Sequence, residues 1–288
     1  MPREHKIMAL KAQHANLDSK TVISFGQEWS KFDQRRLSVA ESEALWQSYF
    51  GIFPWDKLDA QCAIGADIGC GSGRWAPWVV PRVARLHLVD ASEAALQVAR
   101  RNLMNVTNVE FHLASVGNLP FPDASLDFAY SLGVLHHVPD TQSAICSIYQ
   151  KLKPGAHFLL YLYYALETRP LWYRLLWRFS NLLRRVISRM PRILKQLVAD
   201  IFAVFVYWPF ARTAALLERF GIVPSTWPLA FYRNQSFYTM RTDALDRLGT
   251  PLEQRYTRDQ IAGMLRQSGF RSWQFSDHPP YWCVVALK

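Results

Sequence analysis

The sequence predicts an α/β protein built on a mostly parallel sheet with helices on both faces. Between Ala63 and Leu162, short β-rich runs alternate with helical stretches. A glycine turn, Gly69-Cys70-Gly71-Ser72-Gly73, closes the first run, and an acid, Asp90, closes the second. With 288 residues, half of them apolar and 19% charged, the chain can bury a full core, as one large domain or a domain with an insertion.

The predicted strands are Ala63–Ile68, Leu86–Val89, Val109–Leu113, Phe128–Ser131 and Phe158–Tyr163. Between the second and third, Ser92 caps a helix running to Leu103, with Ala95, Leu96 and Ala99 on its apolar face. A second helix, Thr141–Leu152, is closed by the turn Lys153-Pro154-Gly155. Near the C-terminus, Thr257–Ser268 reads as a helix ending at Gly269, and Tyr281–Leu287 as a last strand. Ahead of the alternation, Ser38 and Glu41 form a capping box that starts a helix. The predicted division is 1–60, 61–165, 166–255 and 256–288: an N-terminal helical segment, a core, an insertion after strand five, and the completion of the core.

The chain carries a net charge of +10, which raises nucleic acid, an anionic membrane and anionic small molecules as partners. Cys62, Cys70, Cys146 and Cys283 lie far apart and make no zinc-ligand spacing or disulfide framework, so no metal is expected and a reducing compartment is the simpler reading. The first twenty residues lack the apolar run of a secretory leader. Charge-free runs such as Gly155–Leu166 and Ile201–Ala211 are shorter than a spanning helix needs. The expectation is a cytoplasmic protein that touches a membrane, if at all, without crossing it.

The glycines let the chain turn sharply into a helix and expose bare backbone N–H groups to a ligand. Their spacing is GxGxG, whereas a dinucleotide site wants GxGxxG. Asp90, at the end of the second strand, can accept from both hydroxyls of a ribose. Together they point to an adenosine ligand without a pyrophosphate. Asp67, just before the turn, can brace it or meet a ligand ammonium.

Further blocks follow in order: Leu119-Pro120-Phe121-Pro122-Asp123, then Gly133-Val134-Leu135-His136-His137-Val138-Pro139-Asp140, then Leu152-Lys153-Pro154-Gly155-Ala156. Over about Ala63 to Leu160 the chain resembles the class I S-adenosylmethionine-dependent methyltransferases, in particular the ubiquinone/menaquinone C-methyltransferase-like (type 11) group. The resemblance implies a Rossmann-like seven-stranded sheet with a reversed final strand, and S-adenosylmethionine as cofactor. It also implies that Asp67, Gly69, Cys70, Gly71 and Gly73 hold the methionine part and that Asp90 and Ala91 hold the ribose. Ser115 and Val116 flank the adenine, with Ser115 standing where the family commonly has Asp. Ser131, at the end of the fourth strand, completes the set. The segment Phe25-Gly26-Gln27-Glu28-Trp29 is similar to the lid of many relatives, with Trp29 over the cofactor; a plain amphipathic helix packed on the sheet is the alternative.

Methyl transfer from a sulfonium expels a neutral leaving group, so alignment, exclusion of water and a base suffice. His136 and His137 follow the fourth strand at the carboxyl edge of the sheet. His137 is the candidate base, with Tyr163, Tyr164 and Tyr232 in reserve.

Between Glu167 and Arg219 stand ten basic residues against three acids, which accounts for seven of the ten net charges. Leu171, Leu175, Phe179, Leu182 and Val186 recur at helical spacing, and Arg174, Arg178, Arg185 and Arg189 share another stripe. A cap over the substrate, contact with an anionic membrane, and RNA binding all suit this segment. RNA is disfavoured, because Ser131-Leu132-Gly133-Val134 replaces the signature of amine-methylating nucleic-acid enzymes. The predicted reaction is methyl transfer to a small, apolar or lipid-linked acceptor; the alternatives are an RNA methyltransferase or a non-catalytic S-adenosylmethionine-binding regulator. Oligomeric state leaves no trace in the sequence.

Overall fold

The computed structural model of the chain describes residues 16–222 and 227–288; the expectation about a leader falls mainly outside them. The described residues form two compact units.

The first unit comprises residues up to 33, 44–165 and 252–288. Its strands are β1 (Ile64–Ile68), β2 (Arg85–Asp90), β3 (Val109–Leu113), β4 (Leu126–Leu132), β5 (Leu152–Tyr161), β6 (Ser272–Phe275) and β7 (Cys283–Leu287). They form one sheet in the order β3-β2-β1-β4-β5-β7-β6. The pairs from β3 through β5 are parallel, and β7 runs antiparallel to both its neighbours. The seven-stranded sheet with a reversed final strand is therefore present.

Its helices are α1 (Ser19–Lys31), α2 (Val39–Phe50, which starts in the second unit), α3 (Ala76–Val79), α4 (Glu93–Asn102) and α5 (Thr141–Lys151). After the four helices of the second unit comes α10 (Arg258–Ser268). Asp18, Ser92, Asp140 and Thr257 cap α1, α4, α5 and α10 through their side chains, and Gly269 ends α10 at φ 101°. Both faces of the sheet are covered. Ala66, Ile68, Ala129 and Phe158 lie in one apolar cluster with Ile145 and Ile148 of α5 and Ile261 and Leu265 of α10. Leu86, Leu88, Phe128 and Tyr130 lie in the other, with Trp46, Phe50 and Trp75.

Two details depart from expectation. The Lys153-Pro154-Gly155 turn lies inside β5, where Leu152 still pairs with Leu126 before the register shifts, and Gly155 absorbs the irregularity at φ 80°. β6 was not foreseen, because Ser-Trp-Gln-Phe is too short to show a period.

The second unit comprises residues 34–43 and 166–251, so part of the N-terminal segment belongs with the insertion. Its helices are α6 (Leu171–Ile187), α7 (Arg192–Phe202), α8 (Trp208–Arg219) and α9 (Phe237–Gly249), with a π-helical segment, Ala203–Tyr207, joining α7 to α8. Half of the expected capping box forms: Ser38 Oγ accepts from the Glu41 N–H at 3.2 Å. The Glu41 carboxylate instead accepts from Ser236 N (2.9 Å) and Thr239 Oγ1 (2.7 Å), capping the start of α9.

Arg184 and Lys195 are buried, and their cationic heads donate to the carbonyls of Thr250, Pro251 and Gly249 at the C-terminal end of α9. Two of the ten basic residues of the segment thus tie α6 and α7 to the end of α9. The length expectation is also corrected. The continuous helix Arg192–Arg219 has 28 residues and is long and apolar enough to cross a membrane. Counting charge-free residues stopped at Asp200 and Arg212, whereas the helix passes through both.

Candidate cofactor site

Gly69, Gly71 and Gly73 all take positive φ (83°, 55° and 72°), so a side chain at any of them strains the turn. Space is also short. A Cβ on Gly69 would lie 2.4 Å from Val134 Cγ1, and one on Gly71 would lie 2.7 Å from the Trp29 ring. The turn is thus closed in by the loop after β4 and by α1.

Asp90 fixes the turn from the next strand. Its Oδ2 accepts from Gly71 N at 2.9 Å and its Oδ1 from Ser92 N at 2.8 Å. Each oxygen keeps lone-pair capacity for a ribose hydroxyl. Burial raises the Asp90 carboxyl above its ordinary range, opposed by the backbone N–H groups of Ser92, Gly71 and Ala91.

Asp67 is 2% exposed, and its Oδ2 has no hydrogen-bond partner. Burial pushes its pKa up to about 8; the Asp90 charge adds to this, while Tyr130 and Arg74 oppose it. A buried carboxyl with an orphaned oxygen beside bare glycine backbone suits a ligand ammonium. With Asp90 on the ribose side, the donor set fits an amino-acid-bearing nucleoside.

Ala114 N donates to Asp90 O at 3.1 Å, which brings the buried Ser115 and Val116 to the flank of Asp90. Ser131 is fully buried, and its hydroxyl donates to Ile68 O at 2.8 Å, pinning β4 to β1 beneath the turn. Cys70 is buried, and its thiol is held well above the usual range, chiefly by burial. Ala91 lies between the Asp90 and Ser92 contacts and is half-buried.

The α1 helix joins the turn to the histidines. Trp29 packs on Gly71, and Phe25, one helical turn earlier, meets the His137 ring edge-on at 4.9 Å. Gly26 makes this close approach possible, because a Cβ there would lie 2.5 Å from Ser92 Oγ. The segment is helical and carries Trp29 to the glycine turn.

His137 is buried, and its Nδ1 lies 2.6 Å from Leu252 O. A carbonyl only accepts, so Nδ1 carries a proton. His136 is also buried; neither ring nitrogen has a partner, and the ring stacks on Tyr163 at 3.7 Å. Burial, His137 and Arg255 keep it well below the ordinary histidine range. Tyr164 packs against Trp282, and Tyr232 lies in the second unit against Tyr207. The sequence reading missed Tyr130, whose neighbours are set by sheet register, and Val134, which the loop after β4 carries onto Gly69.

A family model described as "Methyltransferase domain" matches residues 66–160. A ubiquinone biosynthesis O-methyltransferase of Alkalilimnicola ehrlichii is 35% identical over 113 residues, covering 36% of this chain and 46% of that protein. A demethylmenaquinone methyltransferase of Tropheryma whipplei is 28% identical over 164 residues, covering 56% of this chain and 66% of that protein. The chain thus spans less than two thirds of the length of these curated relatives. Among solved structures, an S-adenosylmethionine dependent methyltransferase from Mesorhizobium loti superposes with a TM-score of 0.51 at 20% identity, over 85% of this chain and 98% of that one, which shows the shared fold. The glycine turn, the two acids and the sheet order thus belong to or surround residues 66–160, the stretch that matches the methyltransferase-domain model and is similar to the class I S-adenosylmethionine-dependent methyltransferases.

Proposed function

We propose that the protein transfers the methyl group of S-adenosylmethionine to a small, apolar or lipid-linked acceptor. The observation that carries the reaction class is the pair of acids around a bare glycine turn: orphaned, buried Asp67 and Asp90 braced on Gly71. The apolar acceptor is supported by the exposed large hydrophobic side chains of α6 and α7. The names of the two relatives, drawn from ubiquinone biosynthesis and demethylmenaquinone, agree with it.

Bound cofactor supplies an electrophilic methyl on sulfur. Asp67 would take the ammonium, Asp90 the ribose hydroxyls, and Ser115 and Val116 the sides of the adenine. Trp29 on Gly71 and Phe25 on His137 shield the turn from water. Leu252 holds the His137 tautomer that leaves Nε2 able to accept a proton from an acceptor hydroxyl or activated carbon.

With lipid extract as acceptor source, wild-type protein is expected to release S-adenosylhomocysteine. His137→Gln is expected to lower kcat by about 10²-fold or more while leaving cofactor affinity unchanged. Undiminished turnover in this variant removes His137 as the base. Cofactor binding without release from any extract leaves the non-catalytic regulator.

A second prediction concerns protons. With its pKa raised from 3.8 to about 8, folded Asp67 keeps a proton that the unfolded chain has lost. Its contribution to stability is therefore greatest below pH 4, falls as pH rises towards 8, and is flat above. Pairing with an ammonium reverses the preference, so binding at pH 7 should release a proton. Calorimetry in buffers of different ionisation enthalpy should show this release in wild type and not in Asp67→Asn. Equal buffer dependence in both would contradict the assignment.

A further inference from the structure

The second unit turns the wrong side of its helices outward for a water-soluble cap. On α6, Trp177, Arg184 and Ile187 lie on the inner side; Arg247 of α9 stacks on Trp177 and donates to Ser180 Oγ at 2.9 Å. The opposite side carries seven exposed large hydrophobic residues among the helix's seventeen, Phe179 at 61% exposure among them. Helical spacing places Arg174, Arg178, Arg185 and Arg189, all exposed, along one border of that stripe, and α6 contains no acid.

The long helix repeats the arrangement. Ala199, Ala203, Tyr207 and Ala211 are buried, three of them in a small cluster with Met240 and Ala244 of α9. Ile193 (83% exposed), Leu197, Ile201, Phe205 (71%) and Trp208 face away. An apolar surface this continuous is uncommon on a protein that meets only water.

We infer that the exposed faces of α6 and of the α7–α8 helix dock on an anionic lipid bilayer, lying in its interfacial plane. This deepens the lipid-linked reading and rests on it only for its purpose. Apolar residues would enter the acyl boundary while the four bordering arginines reach lipid phosphates. Charge selects this occupant: a second copy would bring one acid-free arginine stripe against another. RNA would pair the arginines and leave the aliphatic stripe in water. Crossing the bilayer is disfavoured as well. The inner side of the long helix is covered by α9, whose Arg241 pairs with Asp200 at 2.8 Å, and these charges would be carried inside.

Flotation of the full chain with vesicles of phosphatidylcholine, alone or mixed with phosphatidylglycerol, tests this. Binding should favour the anionic vesicles, weaken with salt, and fall by about fivefold for each of the four arginines changed to Gln. Phe179→Ser with Phe205→Ser should also reduce it, while S-adenosylhomocysteine affinity, read in parallel, stays unchanged. Three results would overturn the inference: no vesicle binding, a dimer dissociated by the Phe variants, or membrane association that resists alkaline carbonate. Loss of turnover with vesicle binding intact would count against the methyltransferase reading alone.

A separate observation carries a metal site. His87 on β2 lies opposite Glu110 on β3, and His112 is two residues further along the same strand. His87 Nδ1 is 3.0 Å from His112 Nε2 and 3.3 Å from Glu110 Oε2, which is 3.9 Å from His112 Nε2. The point equidistant from three such atoms is about 2.0 Å from each, the length of a zinc–nitrogen or zinc–oxygen bond. Arg85 holds Glu110 Oε1 at 2.8 Å, orienting the carboxylate. The geometry points to a three-ligand site for a first-row divalent cation across β2 and β3. The hydrogen shared between the imidazoles would move to the donor's other ring nitrogen as the ion enters.

Zinc titration against a chromophoric chelator should find one equivalent per wild-type chain, with a raised Tm, that is lost in both His87→Gln and His112→Gln. Circular dichroism checks that the variants fold. Absence of that equivalent in wild type, or its retention in folded His112→Gln, would overturn the site.

Discussion

The hydrogen bond from Gly71 N to Asp90 Oδ2 is the constraint on which the first unit's chemistry depends. It ties the loop after β1 to the end of β2, and does so at a residue whose positive φ and close packing against Trp29 admit no side chain. The same carboxylate holds Ser92, the cap of α4. One acid therefore sets the turn and holds the cap of the next helix. Such a carboxylate, half satisfied by backbone donors, is prepared to receive hydroxyls with little reorganisation.

Asp67 supplies the complementary feature. An unpaired oxygen at 2% exposure has a cost in the unliganded protein, and that cost is recovered when a cation arrives. The proposed nucleoside would thus meet two carboxyls in different environments, one held by backbone amides and one with an unpaired oxygen. The second unit follows another logic. Its buried cluster is small, and it spends two cations, Arg184 and Lys195, on the end of α9, while its larger apolar side chains face out.

The sheet and the turn were legible because parallel strands and glycine turns are local patterns: the predicted β3 coincides with the observed strand, and Thr257 caps α10 as its sequence implies. The aromatic pair Phe25 and Trp29 was legible for the same reason, being one helical turn apart. Strand register is not local. It places Tyr130 beside Asp67 and His87 against Glu110 and His112, while the loop after β4 brings Val134 onto Gly69. In α6 the periodicity revealed two stripes without saying which side packs inward, so the burial of Arg184 was not legible. The long helix was missed because Asp200 and Arg212 interrupt the charge-free run without interrupting the hydrogen bonding.

The central claim, that Asp90 organises the cofactor site, is tested most directly by the affinity of S-adenosylhomocysteine for Asp90→Asn. An amide there keeps the shape but sets an N–H₂ against a backbone N–H and loses the charge. Titration calorimetry on folded protein should show binding weakened by about a hundredfold or more relative to wild type. An affinity within about twofold of wild type would contradict the account.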